Sequence, residues 1–156
     1  MRTLQGMPRY RRNVCVAVRK AGSDLLLLCH RKGFPPATGW QFPQGGIRKG
    51  AALIPEMKRE LLEEIGTGDV TVILISTKLY FYKFPEGTRH KHKKYDGQVQ
   101  QWVLAEFSGS EAAMNFNREP AEFDAFEWAP VATVLDRIVD FKKDVYSRAL
   151  KDLGLL

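Results

Sequence analysis

Short apolar blocks dominate the first thirty residues of the chain. Asn13–Val18 and Leu25–His30 are two such runs, joined by Lys20-Ala21-Gly22-Ser23-Asp24, a turn-rich segment, and together they predict a β-hairpin. The density of Gly and Pro from Gly33 to Gly50 predicts loop. The apolar period then lengthens, and Ala52 to Ile65 reads as a helix stopped by Gly66, a residue suited to a left-handed C-terminal position. Pro55 must lie in the first turn of that helix, where backbone N–H groups have no internal acceptor. Strand-like runs follow at Val70–Ile75, Leu79–Phe84 and Val99–Phe107, with a further short strand at Phe123–Trp128. Val131–Val139 and Phe141–Leu153 carry amphipathic helical patterns. Strands interrupted and followed by helices predict an α/β (α+β) domain built on one mixed sheet between helices. No repeat or linker divides the chain, so residues 1–156 are read as a single domain.

Composition narrows the class. At 156 residues, with 44% apolar and 27% charged positions, the chain is globular in type and long enough to close a substantial core. No apolar run approaches the roughly 18–20 residues that span a bilayer, so no membrane association is expected. The polar, basic first residues carry no secretory signal core. Cys15 and Cys29 both fall inside strand-like apolar runs and are read as buried free thiols, which points to a reducing, cytoplasmic setting. Lys and Arg outnumber Asp and Glu by 24 to 18, a balance that favours polyanionic partners without identifying one.

The chemistry concentrates on the helix. On a wheel of about 100° per residue, Glu56, Glu60, Glu63 and Glu64 fall within one arc, while Met57, Leu61, Leu62 and Ile65 take the other side. Carboxylates at such spacings repel one another, and on the same wheel Lys58 and Arg59 point elsewhere. Something positive is therefore expected over the acidic face. Clustered carboxylates suit hard divalent ions such as Mg²⁺ or Mn²⁺. A solvated acidic face is the bland alternative, and the preceding loop argues against it. Trp40-Gln41-Phe42-Pro43-Gln44-Gly45-Gly46 leads toward the helix with paired glycines that let backbone approach a metal or phosphate closely.

Gly45-Gly46-Ile47-Arg48-Lys49-Gly50-Ala51 and Arg59-Glu60-Leu61-Leu62-Glu63-Glu64-Ile65-Gly66 resemble the Nudix box, GX5EX7REUXEEXGU, without a gap between Gly45 and Arg59. Two positions depart: Ala51 stands where the family has its first Glu, and Thr67 where it has an aliphatic residue. The resemblance implies a Nudix-type α/β/α sandwich with a mixed central sheet and a loop–helix–loop metal site. It further implies that Glu60, Glu63 and Glu64 bind Mg²⁺ or Mn²⁺, and that metal-activated water attacks a phosphoanhydride. In the family the first Glu pairs with the box arginine, so Ala51 predicts an Arg59 held less firmly and a weakened enzyme.

Tyr10–Asn13, Trp40–Gly46, Gly97–Trp102, Glu122–Asp124 and Phe141–Tyr146 occur in the order seen in bacterial RNA pyrophosphohydrolases, which the chain resembles from about Arg9 to Tyr146. Gln101 departs from the basic residue usual there. This resemblance implies hydrolysis of the 5′-triphosphate end of RNA to pyrophosphate and a 5′-monophosphate, the step that initiates mRNA decay. An asymmetric diadenosine tetraphosphate or other nucleoside polyphosphate hydrolase is the alternative, and a catalytically weak Nudix domain that binds RNA is another. RNA ends or nucleoside polyphosphates are the expected partners, DNA is not, and a homo-oligomer is compatible with the sequence.

Arg11, with Arg31 or Lys32, is suited to charge-assisted hydrogen bonds with phosphate oxygens. Gly45, Gly46, Tyr82 and Gln98 join the candidate substrate-binding residues. By resemblance Glu122 completes the metal site or acts as general base, so that Glu63, Glu64 and Glu122 are the catalytic candidates and the base stays open among them. Phe141 and Lys142 hold the first base in the resembling enzymes, by stacking and by charge; core packing of Phe141 is the other reading. The basic run Arg89–Lys94 is read as a loop that steers RNA or is merely solvated, and not as a histidine metal site.

Overall fold

The computed structural model describes residues 6–87, 94–117 and 121–156. Strand β1 (Tyr10–Lys20) is buried without a break from Asn13 to Val18. Such continuous burial means that both faces of the strand are covered, as in sheets that lie between two helical layers. Val14, Val16 and Val18 face one core, whereas Cys15 and Ala17 face the other. Strand β2 (Leu25–Arg31) divides the same way, with Leu27 and Cys29 on the first side and Leu26 and Leu28 on the second. Both cysteines are free and buried.

The remaining elements are β3 (Trp40–Gln41), β4 (Gln44–Gly46), α1 (Leu53–Ile65), β5 (Thr71–Lys83), β6 (Gly97–Phe107), β7 (Phe123–Pro130), α2 (Val131–Arg137) and α3 (Asp140–Asp152). Sheet order runs β3-β2-β1-β6-β5, with β4 paired to β1 and β7 to β2. The β1–β6 pairing is parallel and the others antiparallel, so the sheet is mixed. Met57, Leu61 and Ile65 of α1 pack on one face. Val134 of α2 and Val145, Tyr146, Ala149 and Leu150 of α3 pack on the other, which completes an α/β/α sandwich. No helix among the described residues is long and apolar enough to cross a membrane.

Helix α1 ends where the glycine pattern indicates: Gly66 adopts φ 81° and donates its N–H to the Leu62 carbonyl. Two expectations need correction. The segment 33–50 is not wholly loop, because β3 and β4 find long-range partners in β2 and β1 that no local pattern reveals. The two strands expected on either side of residues 76–78 form one strand, β5, with register shifts between Val72 and Leu74 and between Ile75 and Leu79. Ser76 makes this continuity workable. Its hydroxyl accepts from the Trp102 N–H at 3.0 Å and donates to the Lys78 carbonyl at 2.9 Å, standing in for ladder bonds lost at the irregularity.

Parallel pairing of β1 with β6 sets Arg11 beside Gln98 and Asn13 beside Gln100. On the α3 side, Phe42, Trp102 and Tyr146 form an edge-packed aromatic cluster with centroids 4.8–5.7 Å apart. The buried Tyr146 hydroxyl also accepts the Phe42 backbone N–H at 3.0 Å, tethering α3 to the segment that runs into β4. Tyr146→Phe keeps the ring but strands that buried N–H, and should lower unfolding free energy by about 1–3 kcal/mol. Urea unfolding of both proteins measures it, and coincident curves would remove the tether from the account.

Candidate active site

Strand β4 lies against β1, with Gly45 opposite Val14 and Gly46 opposite Asn13. A Cβ built on Gly45 would sit 2.1 Å from the Glu60 carboxyl carbon, and one on Gly46 would sit 1.9 Å from Arg11 Nη2. Neither glycine has positive φ. Close approach, rather than backbone conformation, requires glycine at both positions. The pair thus seats one acidic and one basic side chain against the same short strand.

Helix α1 aims its acidic face toward that strand. Glu64 is buried, and its Oε2 has no hydrogen-bond partner among the described residues. Burial, followed by the charges of Glu122 and Glu60, pushes its carboxyl well above the ordinary range, and a hydrogen bond with Glu122 adds to the effect. Burial also raises the Glu60 carboxyl, partly offset by Arg59. Glu63 is exposed. Three carboxylates on α1 and a fourth from the loop before β7 form an oxygen-rich donor set whose buried member has no ion pair among the described residues. That set fits a hard divalent cation. Among the described residues no three His, Cys, Asp or Glu side chains converge closely enough to hold a metal ion as they stand.

Arg59 does not point away from this face. Its guanidinium folds across it, donating from Nη1 to Glu63 at 3.0 Å, from Nη2 to Glu60 at 2.9 Å, and to Glu56 from Nε and Nη2 at 3.1 and 3.2 Å. The wheel fixes the direction of Cβ, but a long side chain can reach neighbours three and four residues away. Glu56 likewise belongs to a different environment from the other three glutamates. It is buried, and it also accepts from Arg48, through the backbone N–H at 3.0 Å and through Nη2 at 2.6 Å. These donors hold its carboxyl far below the usual range, Arg48 contributing most.

A second group meets at β5, β6 and α3. Tyr82 is buried and its hydroxyl donates to the Gln98 side-chain carbonyl. Gln100 Nε2 has acceptors in Asn13 at 3.0 Å, Gln44 at 2.9 Å and Gln98 at 3.3 Å. Lys142 is buried, with its ammonium 5.7 Å from the Tyr82 ring and 5.8 Å from the Phe141 ring. Burial, then the charge of Arg31, lowers its pKa to about 8. Phe141 is partly buried against the core beside Tyr82, with centroids 5.8 Å apart, so it packs while keeping an accessible portion.

Arg31 and Lys32 are exposed where β2 leaves the sheet, and Arg31 stacks on Phe34 at 4.7 Å. The Lys32 N–H donates to the Glu122 carbonyl at 2.9 Å, which holds the two loops together. Nearby, buried His30 bridges Asp124 Oδ1 at 2.6 Å and the Pro35 carbonyl at 3.0 Å. Both partners are acceptors, so the doubly protonated ring satisfies both, and its pKa is raised, first by Asp124 and then by Pro35. An open cleft of about 780 Å³ lies beside α1, with Arg11, Gly46, Arg59 and Glu60 in its wall and Arg12, Arg48, Lys49 and Lys94 adding positive charge.

Sequence patterns therefore bring Arg11, Gly45, Gly46, Glu60, Glu64 and Glu122 into one neighbourhood, and Tyr82, Gln98, Phe141, Lys142 and Arg31 into an adjoining one. They do not disclose the Glu56–Arg48–Arg59 cluster, the glutamine network or the His30 bridge. Arg89, His90, Lys91, His92 and Lys93 lie outside the described residues.

The sequence pattern of the NUDIX domain matches residues 9–149. An RNA pyrophosphohydrolase of Campylobacter jejuni is 39% identical over 112 residues, covering 72% of this chain and 71% of that protein. One from Helicobacter pylori is 36% identical over 111 residues, 71% of each. The E. coli dihydroneopterin triphosphate pyrophosphohydrolase superposes with a TM-score of 0.70 at 15% identity, covering 90% of this chain and 96% of that one. A C. elegans Ap4A hydrolase gives 0.65 at 15% identity, covering 94% and 99%. At that identity the structural likeness speaks for the fold alone.

Two predictions come from this geometry. Gly45→Ala must displace the Glu60 carboxylate and should reduce turnover by roughly 10²-fold, the effect expected of misplacement by about an ångström. Gly46→Ala displaces Arg11 instead and should chiefly raise KM. Steady-state kinetics separate the two, and identical profiles would break the assignment of different neighbours to different steps.

The second concerns pH. The folded pKa of His30 lies above its unfolded value of about 6.5, so its stabilising contribution is complete below that pH and disappears as pH rises through the folded value. The stability advantage of the wild type over His30→Gln should shrink as pH rises above about 6.5. A difference that stays constant across that span would show that the ring is not held as a cation.

Proposed function

The chain belongs to the NUDIX family, and we propose that it hydrolyses the 5′-triphosphate end of RNA, releasing pyrophosphate and leaving a 5′-monophosphate. The observation that carries this reading is the buried, unpaired Glu64 carboxylate oxygen, beside Glu60 and Glu122 and next to a strongly basic cleft. Kinship with proteins named RNA pyrophosphohydrolase at 36–39% identity supports RNA as the substrate.

Glu60, Glu63, Glu64 and Glu122 would hold Mg²⁺ or Mn²⁺. When bound, such an ion neutralises phosphate charge and lowers the pKa of attacking water. The residues themselves divide the remaining work. Arg11, fixed against Gly46, donates to phosphate oxygens, with Arg31 and Lys32 at the mouth of the site. Phe141 offers a ring face to the first base and Lys142 a cation beside it. Tyr82 and Gln98 hold each other and shape the wall between base and phosphates. Glu63, Glu64 or Glu122 receives the proton from water.

Glu64 has a special place among these carboxylates. Burial and the neighbouring Glu122 hold its carboxyl well above the ordinary range, and a cation held there would favour its charged form. The buried free thiols Cys15 and Cys29 support a cytoplasmic setting.

RNA carrying a labelled 5′-triphosphate, incubated with and without Mg²⁺ beside diadenosine tetraphosphate, tests the reading. Metal-dependent appearance of 5′-monophosphate RNA, faster than cleavage of the dinucleotide, is expected, and Glu64→Gln should abolish most of it. Preferential cleavage of the dinucleotide would transfer the same chemistry to another substrate. Binding of RNA with no cleavage of either would make the domain a binder rather than an enzyme.

A further inference from the structure

We propose that Glu56 is the positioning carboxylate of this site, taking from inside the helix the place that position 51 leaves vacant. The inference rests on the hydrolase reading above, and it concerns residues outside the metal-binding set. Three observations carry it. Ala51 presents only a methyl group, packed against the apolar core on the α1 side. Five residues on, Glu56 is 2% exposed, a burial that carboxylates tolerate only when their charge is compensated. Its two oxygens are enclosed by donors of opposite origin: the Arg48 N–H and guanidinium from the glycine loop, and Nε and Nη2 of Arg59 from the helix.

The consequence follows from what Arg59 does with its other hydrogens. Those reach Glu60 at 2.9 Å and Glu63 at 3.0 Å, both candidate ligands. Arg59 is thus a permanent cation within reach of the groups a metal must take. While Glu56 holds Nε and Nη2, the guanidinium cannot turn its full bidentate fork to either ligand. Removing Glu56 frees that fork to compete with the metal and also releases the loop through Arg48. Glu56 therefore acts through Arg59 and Arg48 rather than on the reacting atoms.

Glu56→Ala and the exchange Ala51→Glu/Glu56→Ala are compared with the wild type in Mg²⁺ titrations. One titration follows the rise in Tm on adding Mg²⁺, without substrate; the other follows kcat on whichever polyphosphate the wild type cleaves. Outer carboxylates that orient a metal site typically matter by about 10–100-fold, so Glu56→Ala should raise the Mg²⁺ midpoint and lower kcat in that range. KM should change little. The exchange should recover most of both losses. Glu56→Gln, which preserves shape and one acceptor, replaces the alanine variant if that protein does not fold.

Two results would overturn the proposal. One is a Tm lowered without metal at an unchanged Mg²⁺ midpoint and kcat, the mark of a purely structural ion pair. The other is an exchange variant no better than Glu56→Ala. Failure of the hydrolase reading looks different, because the wild type itself would then cleave neither polyphosphate while the Tm titration still reports on Glu56.

Discussion

Like-charge crowding on one face of α1 is the constraint around which the rest of the structure is arranged. Four glutamates at three- and four-residue spacings would weaken an isolated helix. Here each meets a different fate. Glu56 is neutralised by two arginines, while Glu60 and Glu63 share the remaining hydrogens of Arg59. Glu64 keeps one buried oxygen with no hydrogen-bond partner among the described residues. The apolar face of the same helix, through Met57, Leu61 and Ile65, is fully buried against the sheet, so packing holds the acidic face in place despite its repulsion. Strain that packing can hold and a cation can relieve is a physical description of a metal-dependent site.

The elements legible in the sequence are those whose signals are local. The continuous apolar runs of β1 and β2, the period of α1 and its glycine stop all come from residues near one another in the chain. Strands β3 and β4 were not legible, because two or three residues amid Gly and Pro become strands only when β1 and β2 offer partners. The site shows the same division. Glu60, Glu63 and Glu64 are recognisable from spacing, but the partners of Glu56 depend on how a loop returns to a helix. His30 and Asp124 lie 94 residues apart, and nothing in either neighbourhood hints at a 2.6 Å contact. Ala51 looks like a loss in the linear motif, and only in three dimensions is Arg59 seen already held.

Glycine and glutamine roles illustrate a related limit. Gly45 and Gly46 read as positions where the backbone can approach a ligand closely, yet both lie in a strand and neither uses the conformations that only glycine reaches. Their value is the missing Cβ, which lets Glu60 and Arg11 approach one strand from different sides. Gln100 has three acceptors for the two hydrogens of Nε2, and its carbonyl accepts from Trp102 Nε1 at 3.1 Å. That arrangement links β4, β1 and β6 at the height of the glycine pair, so the glycine strand is braced by amide side chains rather than by loop residues alone.

The candidate site residues divide between the two helical layers. Helix α1 presents the carboxylates from one face of the sheet, while α3 presents Phe141 and Lys142 from the other. Between them, the parallel β1–β6 pair sets Arg11 next to Gln98, and Gln98 receives the Tyr82 hydroxyl. On the function proposed above, a base at α3 and a polyphosphate at α1 would lie on opposite sides of this interior strand pair. Lys142, lowered to about 8 by burial and by Arg31, is the member of this path most sensitive to its occupant. An anion brought near it would raise that pKa again, because opposite charge favours the charged form.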